Sequence, residues 1–288
     1  MAKARELRRR IRSVEKTRQI TKTMEMVATS KLKRAQDRVV AARPYAAALA
    51  DVIADLFHPE LSQQFPLLRP MERPRRVALV LITSNRGLCG GFNANLIRLA
   101  RQRLAELQGE GVEVELHPIG RKGIGYFRYV GQALASQRQD IGDRPTPAHA
   151  AEVMEPLMAR FERGELDAVE VVFAKFNSPV STPPTTLRIL PIQAPVGGKR
   201  GVANYILRPS AEEIVGGILP LYVHNQMYRA LVETAAAEQG ARRTAMKNAT
   251  DSAGDMIDWL RRTYNRARQA QITQEIAEIV GGSEALKG

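Results

Sequence analysis

A chain of 288 residues has room for one or two domains. It is 44% hydrophobic but only 5% aromatic, which favours closely packed helices over a large aromatic-rich interior. Its net charge of +13 is gathered at one end: residues 1–43 hold 14 Lys and Arg against 4 Asp and Glu, while residues 44–220 and 221–288 carry balances of only +2 and +1. A basic segment of this kind is a candidate site for an anionic partner, whether nucleic acid, an anionic membrane surface or an acidic protein patch. Basic residues rather than an apolar run follow Met1, so no secretory signal is expected. The longest apolar stretch, Val77 to Ile82, is far short of the roughly 20 residues that span a bilayer. Cys89 is the single cysteine, which excludes an intrachain disulfide and fits a reducing cytoplasm. The four histidines, His58, His117, His149 and His224, are scattered, and none has metal-ligand spacing with another His or Cys.

In chain order, Ala2 to Arg43 contains neither Gly nor Pro and is rich in helix formers. Apolar or small residues recur at Leu7, Ile11, Val14, Thr21, Met24, Ala28, Leu32, Ala35, Val39 and Ala42, in steps of three, four and one seven that predict a coiled-coil seam. Arg18 fills the seam position inside the seven. Pro44 is expected to kink or end this helix, with Tyr45 to Phe57 resuming it. The Pro-rich Ser62 to Pro74 reads as a connector.

Beyond it the pattern changes. Arg76 to Thr83 reads as a buried strand, Phe92 to Gln108 as an amphipathic helix, Val112 to Leu116 as a strand and Lys122 to Val130 as a short helix. Pro147 to Phe161 is a further helix, and Val169 to Phe176 and Thr185 to Leu190 are strands. Alternating strands and helices imply an α/β unit with a largely parallel sheet. From Ala211 the helical pattern returns, interrupted early by Gly216, Gly217 and Pro220. Its seam candidates are Leu231, Ala235, Arg242, Ala245, Ala249, Ser252, Met256, Leu260, Ala267 and Ala270. Gly240 and Gly254 weaken the helix but let another backbone approach closely. Neither terminal helix can bury its stripe alone, so the two are expected to pack antiparallel, the longer C-terminal one ending as a single helix. The chain thus divides into an N-terminal helix over 1–57, a central domain over 76–195 and a C-terminal helix over 210–286.

Thr83 to Asn95 (TSNRGLCGGFNAN) joins a strand to a helix. Gly87, Gly90 and Gly91 there could bring backbone N–H groups to a phosphate. The spacing is neither G-x-G-x-x-G nor a phosphate loop with Gly-Lys-Ser/Thr, so a tight structural turn is the plainer reading. Cys89 reads as a small buried residue rather than a nucleophile. Residues 1–43 contain no aromatic side chain to stack on bases, yet a basic nucleic-acid-binding protein with coiled-coil arms stays open on the pattern alone.

Three segments carry a family resemblance. They are Ile11 to Ala35 (IRSVEKTRQITKTMEMVATSKLKRA), the TSNRGLCGGFN turn, and Glu238 to Gly282 (EQGARRTAMKNATDSAGDMIDWLRRTYNRARQAQITQEIAEIVGG). Together, in this order, they resemble the gamma subunit of F-type ATP synthases over essentially the whole chain. The resemblance implies an α/β fold in which an antiparallel coiled coil of the terminal helices joins a central Rossmann-like domain with a largely parallel sheet. It implies a rotor that couples proton flow to ATP synthesis or hydrolysis, with no catalytic residue, cofactor or metal of its own. The implied partners are a hexameric ring of three alpha and three beta subunits, the epsilon subunit and the membrane c-ring, with no nucleic acid. The implied location is peripheral, at the cytoplasmic face of a bacterial inner membrane.

By the same resemblance, Met24 matches the methionine facing an acidic loop of beta. Arg242, Gln269 and Thr273 match positions that touch the catalytic ring. Lys22, Lys31 and Lys33 lie near Met24 in sequence and are expected to act with it as complementary charge. Ile276, Ile279, Val280 and Leu286 are expected to line a tip within an apolar bearing. Asn204 to Pro209, with Tyr205 and Arg208, matches a foot segment near the c-ring. Asn85 stands where many family members have Asp, and Arg208 where some have an acid. The cysteine pair of redox-regulated chloroplast forms is absent, so thiol switching is not expected.

Overall fold

The run Arg76–Ile82 (RVALVLI) is apolar on both faces, and such a strand needs a packed layer on each side. In the computed structural model, which describes residues 2–56, 64–69, 71, 73–193 and 211–285, this run is an inner strand, β1, of a four-stranded sheet. Strands β2 (Glu113–Ile119) and β3 (Ala168–Ala174) flank it in parallel, with Val80 opposite both His117 and Val171. Strand β4 (Pro184–Leu190) pairs antiparallel with β3, so the sheet order is β2-β1-β3-β4 and the sheet is mixed though mainly parallel. The parallel pairs are joined through helices α2 (Phe92–Gly109), α3 (Arg121–Tyr129) and α4 (Pro147–Glu162), as parallel pairing requires. The α/β class expected from the sequence is the one observed.

Side-chain alternation along β1 builds two cores. Ala78, Val80 and Ile82 join Met154, Leu157 and Phe161 of α4, while Leu79 and Leu81 join Leu96, Ala100 and Leu104 of α2 and Phe127 of α3. The terminal helices α1 (Ala2–Leu56) and α5 (Ala211–Ala285) enter the same clusters. Leu32, Val39, Val232 and Ala236 lie in the second cluster, and Ile53, Val223, Met227 and Leu231 in the first.

Neither proline ends its helix. Pro44 lies inside α1 and Pro220 inside α5. Pro44 is exposed, and the carbonyl it deprives of a partner belongs to Val40, a residue 61% exposed and open to water. The buried stripe runs on through Val39, Ala46, Leu49 and Ile53, and this packing holds the helix across the gap. Around Pro220 the stripe Val215, Leu219, Val223 and Met227 does the same. Gly216 there admits the ring of Phe65, which lies 3.3 Å from where a Cβ would sit.

Charge is buried where it is paired. Glu170, in the middle of β3, is 2% exposed. Arg103 of α2 holds it with two hydrogen bonds of 2.7 and 2.9 Å, and Arg188 of β4 adds two of 2.9 and 3.3 Å. Burial pushes this carboxyl up, but the hydrogen bonds from Arg103 and Arg188 outweigh it, and the group titrates below the ordinary glutamate range.

The chain separates into two compact units, Thr29–Arg242 and the pair Met1–Ala28 with Arg243–Gly288. The second is an antiparallel helix pair. Thr250 donates to Thr21 at 2.8 Å, Thr21 donates to the Arg18 carbonyl at 3.0 Å, and Arg261 pairs with Glu15 at 2.8 Å. The α1 seam follows the expected positions, with Leu7, Thr21 and Ala28 buried and Ile11, Val14 and Met24 half-buried. Arg18 lies beside Gly254, its Nε 3.7 Å from where a Cβ would be, so the glycine makes room for a cation at a seam position. On α5 the expected positions Leu231, Ala235, Arg242 and Leu260 are buried, but from Ala245 to Met256 the seam is displaced by one residue. Ala245, Ala249, Ser252 and Met256 are less buried than Met246, Thr250, Ala253 and Ile257. Both registers satisfy the three-and-four spacing; the one that buries the isoleucine and the hydroxyl bonded to Thr21 prevails.

Two predictions follow from these contacts. Gly120 has φ +97°, and a Cβ there would lie 2.1 Å from the Thr83 carbonyl oxygen, whereas Gly125 in α3 has open space. Gly120→Ala should cost roughly 2–4 kcal/mol of stability through strain and overlap, and Gly125→Ala should add roughly 0.5–1 kcal/mol; denaturant unfolding of the two variants measures both. Glu170→Gln should lower stability at pH 7 by roughly 1–3 kcal/mol. Because the folded-state pKa is depressed, the advantage of the native carboxylate is present above its unfolded pKa of about 4.3 and is lost as pH falls through the folded value. Melting temperatures of the two forms should therefore converge as pH falls below about 4.3, and a gap that stays constant down to the acid limit of folding would contradict this.

Candidate functional site

In doubly wound sheets ligands bind outside the carboxyl ends of the strands. A cavity of about 570 Å³ lies there, walled by Ser84, Arg86 and Arg121 at the ends of β1 and β2, by Asp143 and His149, and by Glu238 of α5. The helix N-terminus that faces it is already engaged. The first N–H groups of α3 go to the chain itself: Arg121 to Asn85 Oδ1 (3.0 Å), Lys122 to the Ser84 carbonyl (3.2 Å), Gly123 to Thr83 Oγ1 (2.9 Å) and Ile124 to the Gly120 carbonyl (3.2 Å). The glycine-rich turn is likewise braced from within. Leu88 and Gly90 take positive φ values of 61° and 58°, Asn93 Oδ1 accepts from the Ser84 N–H at 3.0 Å, and Asn93 Nδ2 donates to Cys89 Sγ at 3.2 Å. Cys89 is 2% exposed, and burial pushes its thiol up, so it is held as a neutral thiol rather than a nucleophilic thiolate. These bonds support the structural reading of the turn.

Asn85 uses both ends of its amide. Its Nδ2 donates to the carbonyls of Gln139 (2.9 Å) and Ile141 (3.0 Å), and its Oδ1 accepts from Arg121. A carboxylate could accept from Arg121 but could not donate to the two carbonyls. An asparagine here therefore ties the 139–141 segment to the turn.

Of the residues expected to face a partner, Arg242 is 9% exposed. Its guanidinium bonds Glu238 at 2.6 Å and the Gly87 carbonyl at 3.2 Å, linking α5 to the glycine-rich turn. Burial raises the pKa of Glu238, with Arg242 opposing. Lys31 is also engaged inside the fold, its Nζ 2.5 Å from Asp143 Oδ2. Lys33 is exposed and pairs with Asp37 on its own helix, at 2.9 Å. Lys22 lies on the surface of the helix pair, 3.9 Å from Glu25, and Met24 beside it is half-buried. Glu238 is legible from the sequence as the i−4 neighbour of Arg242, but Asp143, 112 positions from Lys31, carries no local signal.

Toward its C-terminus α5 is exposed on all sides. Gln269 and Thr273 lie on its surface one turn apart, with Thr273 Oγ1 donating to the Gln269 carbonyl at 3.0 Å. Ile272, Ile276, Ile279 and Val280 follow at helical spacing and are 45–72% exposed. Leu286, Tyr205 and Arg208 lie outside the described residues. No described helix is long and apolar enough to cross a membrane, and among the described residues no three His, Cys, Asp or Glu are grouped to hold a metal.

Comparison with known proteins gives one consistent result. The family model described as ATP synthase matches residues 3–286. An ATP synthase gamma chain of Gemmatimonas aurantiaca is 60% identical over 290 residues, covering 100% of both chains, and one of Desulfitobacterium hafniense is 47% identical with the same coverage. Among solved structures, a chain of the central stalk and c-ring of the Tetrahymena thermophila mitochondrial ATP synthase aligns with TM-score 0.62 and 26% identity, covering 80% of this chain and 99% of that one. A chain from the Euglena gracilis mitochondrial ATP synthase shares the fold, with TM-score 0.68 at 19% identity over 99% of this chain and 95% of that one. With full-length matches at this identity, the chain belongs to the ATP synthase gamma chain family.

Proposed function

We propose that this chain is the central rotor shaft of an F-type ATP synthase, coupling proton movement through a c-ring to nucleotide turnover on an alpha–beta ring, without a catalytic site of its own. The observation that carries this reading is the apolar stripe Ile272, Ile276, Ile279 and Val280, left exposed at the end of a long helix in a chain of the gamma family. Four large apolar residues on one helical stripe are a surface that a partner covers. An apolar sleeve in the ring gives that cover without fixing the angle of the shaft. The N–H groups at the start of α3, all bonded within the chain, leave no open helix N-terminus there for a phosphate, which fits a chain that binds no nucleotide.

On this reading residues 1–57 and 210–286 form the shaft and 76–195 the foot. Met24, Lys22, Lys33, Gln269 and Thr273 face the ring, and Tyr205 and Arg208 meet the epsilon subunit and c-ring. The complex sits at the cytoplasmic face of a bacterial inner membrane, with this chain peripheral to it. Swinging a catalytic site from 1:99 to 99:1 takes roughly 5.5 kcal/mol of differential interaction, and one exposed ion pair gives about 0–1 kcal/mol. The coupling is therefore shared among many contacts along the shaft. Lys31 contributes through Asp143 inside the chain, and Arg242 through Glu238 and the turn.

The purified chain, free of beta subunit, should show no ATP hydrolysis, and titration with ATP should give no saturable amide shifts at Gly87 to Gly91. Turnover, or micromolar binding at these glycines, would overturn the rotor reading in favour of an enzyme. The exposed basic face gives a second test. Lys22→Glu with Lys33→Glu should lower the protons pumped per ATP hydrolysed about twofold at low salt, where charges are least screened, with assembly retained. Lys31 is left intact because its reversal would break the pair with Asp143. An unchanged ratio at low salt would show that this face transmits no torque.

A further inference from the structure

Asp143 lies between β2 and α4, and both terminal helices hold it. Its carboxylate receives Lys31 Nζ from α1 at 2.5 Å and Gln239 Nε2 from α5 at 3.4 Å, and its main-chain carbonyl receives Arg38 Nη1 from α1 at 3.1 Å. Lys31 and Arg38 are two helical turns apart on one face of α1, so one residue grips that helix at two levels, about 10 Å apart along its axis. The apolar contacts beside it, Leu32, Ala35 and Val39, bury area but are non-directional, and the small Ala35 resists rotation poorly. Directional charged bonds at two levels oppose both sliding and turning.

We infer that Asp143 is a positioning residue that clamps the rotational setting of α1 and α5 against the α/β domain, so that a twist applied to the domain is delivered to both helices. The inference rests on the rotor reading. Burial pushes the Asp143 carboxyl up, but the hydrogen bond from Lys31 and the charges of Lys31, Arg86 and Arg242 more than offset this and keep it ionised. The side chain is 31% exposed and Lys31 32%, so the clamp is a partly buried pair with a charge-assisted bond rather than a screened surface contact. The Gln239 Oε1 atom is buried without a partner, so the amide is held by what its Nε2 reaches, the Asp143 carboxylate.

The test uses the chain assembled with its alpha–beta ring, stalled with a non-hydrolysable nucleotide, with a bead attached at Val180→Cys on the 90%-exposed tip between β3 and β4. The angular variance of the bead reports torsional compliance. Asp143→Ala should raise the variance about twofold, Asp143→Asn less, and Lys31→Ala should raise it too, with the double variant Asp143→Ala/Lys31→Ala softening less than the sum of the two, as a directional pair would. Melting temperature and ring ATPase should change little. Unchanged variance in a folded Asp143→Ala chain would overturn the clamp, as would effects of Asp143→Ala and Lys31→Ala that simply add in the double variant, since the two would then not act as a pair. If neither Asp143→Ala nor Asp143→Asn assembles, the residue is a folding determinant and the positioning role is also overturned. Failure of the unsubstituted chain to rotate in the ring would instead sink the rotor reading itself.

Discussion

Residues 231–240 of α5 are buried on every side, and a helix in that position satisfies most of the polar groups it carries, the Gln239 Oε1 excepted among the described residues. The stretch includes Glu233, Thr234, Glu238 and Gln239. Glu233 bonds Arg229 at 2.7 Å and accepts the Phe176 N–H at 3.0 Å; Thr234 accepts the Ala174 N–H at 3.2 Å. The Ala174 and Phe176 N–H groups at the end of β3 thus bond side chains of α5, while the Lys175 N–H between them bonds the Pro183 carbonyl at 3.0 Å. Ala235, Ala236 and Ala237 leave the space this close approach needs, and Gly240 lets the Pro179 carbonyl come within 3.0 Å of where a Cβ would sit. Sheet and helix are one hydrogen-bonded body here.

That arrangement separates two kinds of surface on the same helices. Where α1 and α5 meet the α/β domain, charge is paired inward: Lys31 with Asp143, Arg242 with Glu238. In the helix pair, charge is mostly exposed, and the polar contact at the seam is a pair of threonine hydroxyls. A hydroxyl pair in a small-residue seam fixes register at little cost, whereas a buried ion pair would need further partners. Inward pairing gives rigidity, and outward charge remains available to partners.

Much of this was legible from periodicity. The α1 seam, the strand runs and the helices between them follow from spacing that a single face or a buried layer imposes. The α5 seam was ambiguous by one residue because alanines crowd both registers, and only the facing helix decides between them. Pro44 and Pro220 mislead a local reading because the packing that carries the helix past them is tertiary. The bonds of Asp143 lie 96 to 112 positions away in sequence, and the double use of the Asn85 amide depends on where 139–141 and α3 arrive. Nothing in local sequence encodes these.

The antiparallel helix pair has a consequence for the chain's synthesis. Thr21 meets Thr250 across a separation of 229 residues. At 5–20 residues per second, the N-terminal helix leaves the ribosome about 10 to 50 s before its partner exists. Throughout that interval Leu7, Ile11, Val14 and Ala28 have no seam to enter, although the segment carries ample charge to stay hydrated. The strong basicity of α1 then serves the nascent chain as well as the finished one: it keeps an unpaired amphipathic helix hydrated until α5 is made and closes over it.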